Sequence, residues 1–315
     1  MSYTDNIKEE LYQSDLKREC CKIAALCAVL RLCGSMEIGV DNSLSLRLDT
    51  ENEHAAWFAY KLVRDMYGYD SGVMERRQQR FKDYRSYTVE IADQGVTKKL
   101  LYDSGILINL DTGLFMEHKL PTGLLSRDCC RKAYLKAVFL CQGRCSNPRK
   151  TYRLEYIVKD MGQAETVSNI LKGFQLNSHI TRRRDGIIIY INEAEQIISM
   201  LSIIGANKAL LDMENIMIMK QIRNHINRAV NCETANLDKV TFAAQRQIDD
   251  IKLLISCGEY NSLADSEKQT AEARINNPEA TLSELAQLMG VTKSGINHRL
   301  RRISDRARRI KEQGG

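Results

Sequence analysis

The residues of this sequence best equipped to recognise another molecule stand close together near its end: Lys293, Ser294, Asn297, His298, Arg301 and Arg302. Hydroxyl, amide, imidazole, ammonium and guanidinium groups can all bond the base edges or phosphates of a duplex. They are interleaved with Ile296, Leu300, Ile303, Ala307 and Ile310, apolar positions that follow the helical period. Burying that stripe turns the polar set toward the opposite side and its flanks. From Thr281 onward eight Lys or Arg stand against three Asp or Glu, a local +5 that concentrates most of the chain's formal +6. The same basic amphipathic pattern would also suit a helix that covers a protein partner, or one that is simply solvated.

The elements that would position this set are legible in "ATLSELAQLMGVTKSGINHRLRRISDRARRI". Thr281 with Glu284 three residues later is a capping-box signature, so a helix is predicted to begin at Leu282. Leu285, Leu288 and Met289 give it an apolar side, Gly290 permits a sharp turn, and Thr292 can cap a second helix. A small residue at 286, glycine at 290 and an aliphatic anchor at 296 suit two short helices that cross steeply, a helix-turn-helix. Upstream, Pro278 marks a break after a helical run over about 241–257.

Two further basic clusters lie earlier. "MERRQQRFKDYR" holds Arg76, Arg77 and Arg80, and "HITRRRDG" holds Arg182, Arg183 and Arg184. Each falls between a helical run and a strand-like segment, where a phosphate-contacting loop would stand, and they are secondary candidates for DNA contact. A solvated basic turn is the plainer alternative. The ten cysteines lack any paired CxxC and read as reduced, half-buried thiols. Cys20 with Cys21 and Cys129 with Cys130 are vicinal; helix neighbours point about 100° apart, which favours packing over joint ligation. No cofactor and no metal are expected.

At 315 residues, 43% hydrophobic and 27% charged, the chain has room for two or three folded domains and little reason to be disordered. No apolar run reaches bilayer length and the first residues carry both signs of charge, which reads as cytoplasmic, with no membrane partner. A repeat organises the first two thirds. At an offset of 109 residues, Cys20, Cys21, Ala24, Leu26, Ala28, Val29 and Gly34 recur as Cys129, Cys130, Ala133, Leu135, Ala137, Val138 and Gly143. Each copy continues with a strand ("SLSLRL", "YRLEYIV"), an amphipathic helix, the basic region, a second strand ("RSYTVEI", "DGIIIYI") and a short helix. Paired alanines at i and i+4 give each repeated helix one thin face, so the two helices are predicted to pack as a seam, each ending at a glycine in a left-handed turn.

This helix ending in glycine, repeated once and followed by strand, strand and helix, resembles the LAGLIDADG homing-endonuclease fold. The resemblance implies an α+β protein, two tandem LAGLIDADG-like repeats forming a pseudo-two-fold saddle, followed by an all-α helix-turn-helix domain. It also implies a metal-binding acid just before each terminal glycine. Here those positions hold Cys33 and Gln142. A neutral thiol and an amide cannot hold the hard cations of phosphodiester cleavage, so no catalytic residue is expected and the chain is not expected to be an enzyme. Glu37 is the nearest substitute, but its counterpart is Ser146.

Together with the C-terminal motif, the stretches "NRAVNCETANLDK" and "TKSGINHRLRRI" make the chain, from about 15 to 310, similar to the WhiA family. What that resemblance implies is a nucleoid-associated regulator of cell division, chromosome segregation or sporulation. Its expected partners are double-stranded DNA and, beside it, transcription machinery or another regulator. A protein-docking or ligand-sensing scaffold with secondary DNA binding is the alternative, and an active metal-dependent nuclease a more distant one. The boundaries expected are 1–120 and 121–214 for the repeats, 215–240 for a polar, partly helical connector, and 241–315 for the helix-turn-helix domain.

Overall fold

Ser2 opens the first helix with a reciprocal cap: its hydroxyl accepts from the Asp5 N–H at 3.1 Å while its own N–H donates to the Asp5 carboxylate at 3.0 Å. The computed structural model describes residues 2–39, 43–78, 84–110, 113–117, 119–184 and 186–313, which divide into two compact units, 1–220 and 221–315. In the first unit α1 (Tyr3–Gln13) is followed by α2 (Glu19–Cys33), β1 (Gly34–Ile38), β2 (Leu44–Thr50), α3 (Glu53–Tyr67), β3 (Met74–Gln78), β4 (Tyr84–Ile91) and α4 (Gln94–Asp103). After the hairpin β5 (Leu107–Leu110) and β6 (Gly113–Met116) the order repeats. The second copy runs α5 (Asp128–Gln142), β7 (Gly143–Cys145), β8 (Leu154–Val158), α6 (Met161–Gly173), β9 (His179–Arg183), β10 (Gly186–Ile191) and α7 (Ala194–Ile204).

The two four-stranded antiparallel sheets have the same order, β1-β2-β4-β3 and β7-β8-β10-β9. One core spans both copies, and the α2–α5 contact is its most extensive helix pairing. Ala24, Leu26, Ala28, Leu135 and Ala137 are completely buried there. A helix apolar on every side has no solvent face to keep, and the alanines let two such helices approach closely.

The terminal glycines, however, are not left-handed. Gly34 (φ −76°, ψ 139°) and Gly143 (φ −76°, ψ 146°) are extended and carry the chain straight from helix into strand. Glycine is needed for space: a Cβ at 34 would lie 2.4 Å from the Leu30 carbonyl oxygen, and one at 143 would lie 2.4 Å from the Phe139 ring. The other end of the seam is built from cysteines. The helices converge at their N-termini, and the four vicinal cysteine sulfurs all lie within 4.8 Å of one another.

The 50-residue α8 (Asn207–Ser256) supplies the end of the first unit and the start of the second. The polar stretch 215–240 lies wholly within it, so its full helicity exceeds the partial helix expected; 221–239 are all exposed and no buried face imposes an apolar period. The second unit continues with a short 3₁₀ turn (Glu259–Ser262), α9 (Asp265–Asn276), α10 (Leu282–Leu288) and α11 (Lys293–Gln313). Its core comprises Ile251, Leu254, Leu263, Ala271, Leu285, Ala286, Ile296, Leu300, Ile303 and Ala307. No helix among the described residues is long and apolar enough to cross a membrane.

Candidate nucleic-acid interface

The turn between α10 and α11 forms by the local chemistry its sequence requires. The Thr281 hydroxyl accepts from the Glu284 N–H at 3.3 Å, and the Glu284 carboxylate accepts from the Thr281 N–H at 2.7 Å. That bond holds the Glu284 carboxyl below its ordinary value. Gly290 adopts φ +64°, the left-handed region that glycine enters without a Cβ clash, and the Val291 N–H reaches back to the Ala286 carbonyl at 3.0 Å. Thr292 accepts from the Gly295 N–H at 3.1 Å and so caps α11. Leu285, Ala286, Ile296 and Leu300 are buried between the helices.

With Ile296, Leu300, Ile303 and Ala307 turned inward, Lys293, Ser294, Asn297, His298, Arg301 and Arg302 are all exposed. They recur at 293, 297, 301 and at 294, 298, 302, so one continuous strip of the helix carries them. Most of the other cations of α11 are used internally; Arg308 pairs with Asp305 on the helix itself, and Arg309 is exposed with no partner among the described residues. Arg306 donates to the Ser262 carbonyl at 3.0 Å, Arg299 reaches the Thr270 hydroxyl at 3.5 Å, and Lys311 bonds the buried Asp250 at 2.9 Å. Arg302 also has an anchoring role, since its Nε lies 3.2 Å from the Glu267 carboxylate, a side chain only 2% exposed. Lys293, Ser294, Asn297, His298 and Arg301 have no intramolecular side-chain partner among the described residues. Sequence reasoning had treated this charge as one block and missed Lys239, which lines the same cleft of about 370 Å³ as Lys293; nothing in the local sequence signals it.

The earlier arginines stand on edge strands, not in loops: Arg76 and Arg77 on β3, and Arg182 and Arg183 on β9 with Arg184 in the turn after it. Arg80 lies outside the described residues. Arg77 is paired with Glu75 at 2.9 Å. Arg182, Arg183 and Arg184 are exposed. The outward face of the first sheet carries Glu37, Asp49 and Glu90 around Arg47, with Arg76 farther along the same face opposite Ser86. Residues directly opposite share a face, and Arg47 stands opposite Glu90 and Ser35, with Glu37 and Asp49 two positions along their strands. Arg47 bonds Glu37 at 3.0 Å and lies 3.7 Å from Asp49. A phosphate backbone laid across that face would meet Glu37, Asp49 and Glu90 beside Arg47 and Arg76.

At the strand end of the seam, Cys33 and Gln142 line a cleft of about 960 Å³ with Lys8, Cys141, Asp49, Arg144 and Lys159. A hydrogen bond shared with Cys33, together with burial, keeps Cys141 a neutral thiol, well above the ordinary thiol range. Burial pushes the Lys8 ammonium down to about 8. Of the carboxylates at hand, Asp49 accepts from the Thr88 hydroxyl at 2.6 Å and Asp5 caps α1. Glu37 lies on β1, paired with Arg47, and is not among the residues lining this cleft. Glu51 also lines the cleft, but the positions just before the two glycines hold a thiol and an amide where a hard cation needs anionic oxygen.

Comparison with known proteins matches all three segments. Residues 19–107 match the WhiA N-terminal LAGLIDADG-like domain, 131–223 the WhiA LAGLIDADG-like domain and 226–307 the WhiA C-terminal HTH domain. The chain is 38% identical over 317 residues to the "Probable cell division protein WhiA" of Heliobacterium modesticaldum, covering all of this chain and 98% of that one. It is 36% identical over 317 residues to the protein so named from Clostridium novyi, covering both chains in full. The crystal structure of full-length WhiA from Thermatoga maritima superposes with a TM-score of 0.59 at 22% identity, over 98% of this chain and 99% of that one.

Proposed function

This chain belongs to the WhiA family, and from that premise we propose that it is a non-enzymatic regulator that reads duplex DNA through α10, the turn and α11 and acts in cell division, chromosome segregation or sporulation. The observation that carries the reading is the strip of Lys293, Ser294, Asn297, His298 and Arg301, exposed and without a side-chain partner among the described residues, on a helix anchored to its own unit by Arg299, Arg302, Arg306 and Lys311. Unpaired donors on a rigid helix reach bases and phosphates without first breaking internal bonds. The cell process comes from the name of its relatives, "probable cell division protein". DNA association would place the protein on the nucleoid, with transcription machinery or another regulator as further partners. Cys33 and Gln142 in place of the metal-holding acids support a body that does not cleave, and the domains are those of the sequence reading: 1–120, 121–214, a connector over 215–240, and the reader.

The test is selection of bound fragments from random duplex DNA with the full chain, followed by titration of the enriched site with Arg301→Ala. An enriched sequence, and an affinity about 10- to 100-fold lower for the variant on that sequence but not on unrelated DNA, supports the reading. No enrichment, or nicking of supercoiled DNA with Mg²⁺, overturns it.

A further inference from the structure

At the end of the seam remote from the DNA-cleaving positions the repeat brings together a second set of ligands. The segments Arg18-Glu19-Cys20-Cys21-Lys22 and Arg127-Asp128-Cys129-Cys130-Arg131 correspond at the 109-residue offset and open α2 and α5. We propose that Cys20, Cys21, Cys129 and Cys130 form a tetrathiolate site for one zinc ion, which clamps the two repeats together at the start of the seam.

The geometry suits one small tetrahedral ion. Four sulfurs at the zinc–thiolate distance of about 2.3 Å stand about 3.8 Å from one another. Here all four lie within 4.8 Å, with Cys129 and Cys130 Sγ at 4.0 Å. Closing the remaining gap takes only side-chain rotation. An iron–sulfur cluster, with its own inorganic sulfides, would hold the cysteines farther apart. Four sulfurs and no oxygen exclude the hard cations, Mg²⁺ and Ca²⁺. Cys21 and Cys130 are buried while Cys20 and Cys129 are partly exposed, which gives an ion a way in and the finished site an apolar floor.

The surroundings suit the charge. A zinc tetrathiolate carries a net −2, and each thiol surrenders its proton on ligation. Both helices open with no side-chain cap, so the N–H groups of their first turns point toward the sulfurs' end of the seam. Arg18 already donates to the Cys129 sulfur at 3.7 Å. The neighbouring acids do not compete, because Glu19 is paired with Lys22 at 2.9 Å and Asp128 with Arg131 at 2.6 Å. No sequence motif signals the site, because each half supplies only a vicinal pair and the ligand set exists only when the repeats pack.

The experiment uses the full chain, purified under reducing conditions without chelator. The metal content is measured by mass spectrometry, and the metal-stripped protein is then titrated with Co²⁺. The expected result is one equivalent of zinc per chain, and with cobalt a strong thiolate charge-transfer band with tetrahedral d–d bands. Both are expected to be lost in Cys129→Ser/Cys130→Ser and kept in Cys232→Ser/Cys257→Ser, whose cysteines lie exposed in the other unit. The cobalt spectrum of the unmodified chain decides the matter even where the double variant fails to fold. Reduced protein that takes up no stoichiometric metal, metal retained by Cys129→Ser/Cys130→Ser, or disulfides among these four cysteines in freshly isolated protein would each overturn the proposal.

Discussion

The body formed by the two repeats and the C-terminal reader are both rich in cations, yet they differ in what those cations touch. In the body Arg47 is matched by Glu37 and Asp49 and Arg77 by Glu75, while two lysines, Lys8 and Lys136, are buried outright and Arg76 stands exposed on the face of Arg47. On α11 the cations are sorted: Arg299, Arg302, Arg306 and Lys311 hold the helix to its own unit, Arg308 pairs with Asp305 along the helix, and Lys293, Arg301 and Arg309 have no partner among the described residues. Net charge therefore says less about where DNA is held than the number of cations without a partner. Anchoring cations fix the helix, and the unpaired ones on that fixed helix can recognise.

The bluntest way to break this contrast is to remove the reader. A chain lacking residues 270–315 should lose specific binding altogether, an affinity loss of at least about 1,000-fold on the selected site by electrophoretic shift or anisotropy. Binding that survives unchanged would move recognition to the body. A second large effect concerns the body alone. Lys8 is 6% exposed, has no hydrogen-bond partner among the described residues, and has its value pushed from 10.5 down to about 8 by burial. Its folded-state value is depressed, so below about pH 8 the folded state bears the full cost of a buried charge. As the pH rises from there toward 10.5 the unfolded chain binds the extra proton and stability increases. Lys8→Met should accordingly stabilise the body by up to about 3 kcal/mol at pH 7 and by far less near pH 10, read from denaturant midpoints at the two values. Equal gains at both would mean that Lys8 is not charged and buried as described.

Much of this arrangement was legible in the sequence, and the exceptions have physical causes. The seam helices and the strand–helix–strand order could be read because the repeat states them twice. β1 and β7 were not visible, because Gly34 and Gly143 pass from helix to strand without a turn signal. The stretch 215–240 reads as a connector because its helix has no buried face over 221–239 and so leaves no period to detect. For the reader, the caps, the turn and the outward strip all follow from local spacing. The anchors do not, since Arg306 meets Ser262 across 44 residues and Lys311 meets Asp250 across 61.

That division yields a paired prediction within α11. Arg301→Ala and Asn297→Ala should each weaken binding to the selected site by about 1 to 3 kcal/mol and leave the melting temperature unchanged. Arg302→Ala should do the reverse in part: removing it leaves the buried Glu267 carboxylate without its ion pair, so stability falls by about 1 to 3 kcal/mol. If Arg301→Ala lowered the melting temperature as much as Arg302→Ala, the sorting into anchors and contacts would fail.

The smallest effect is expected from a part of the body that resembles the reader. Arg182, Arg183 and Arg184 are exposed at the end of β9 with no ion pair among the described residues, as Arg301 is on α11. They sit on an edge strand, with Arg182 and Arg183 opposite Ile187 and Gly186, outside the helical frame that carries the polar strip of α11. Contacts of that kind neutralise phosphate without regard to sequence. Replacing all three with alanine should lower affinity for selected and unrelated duplexes alike, by less than about tenfold at physiological salt. The slope of log affinity against log salt should become shallower by at most about three. A loss confined to the selected site would instead give the body a share in recognition, and the difference between the two units would then lie in degree and not in kind.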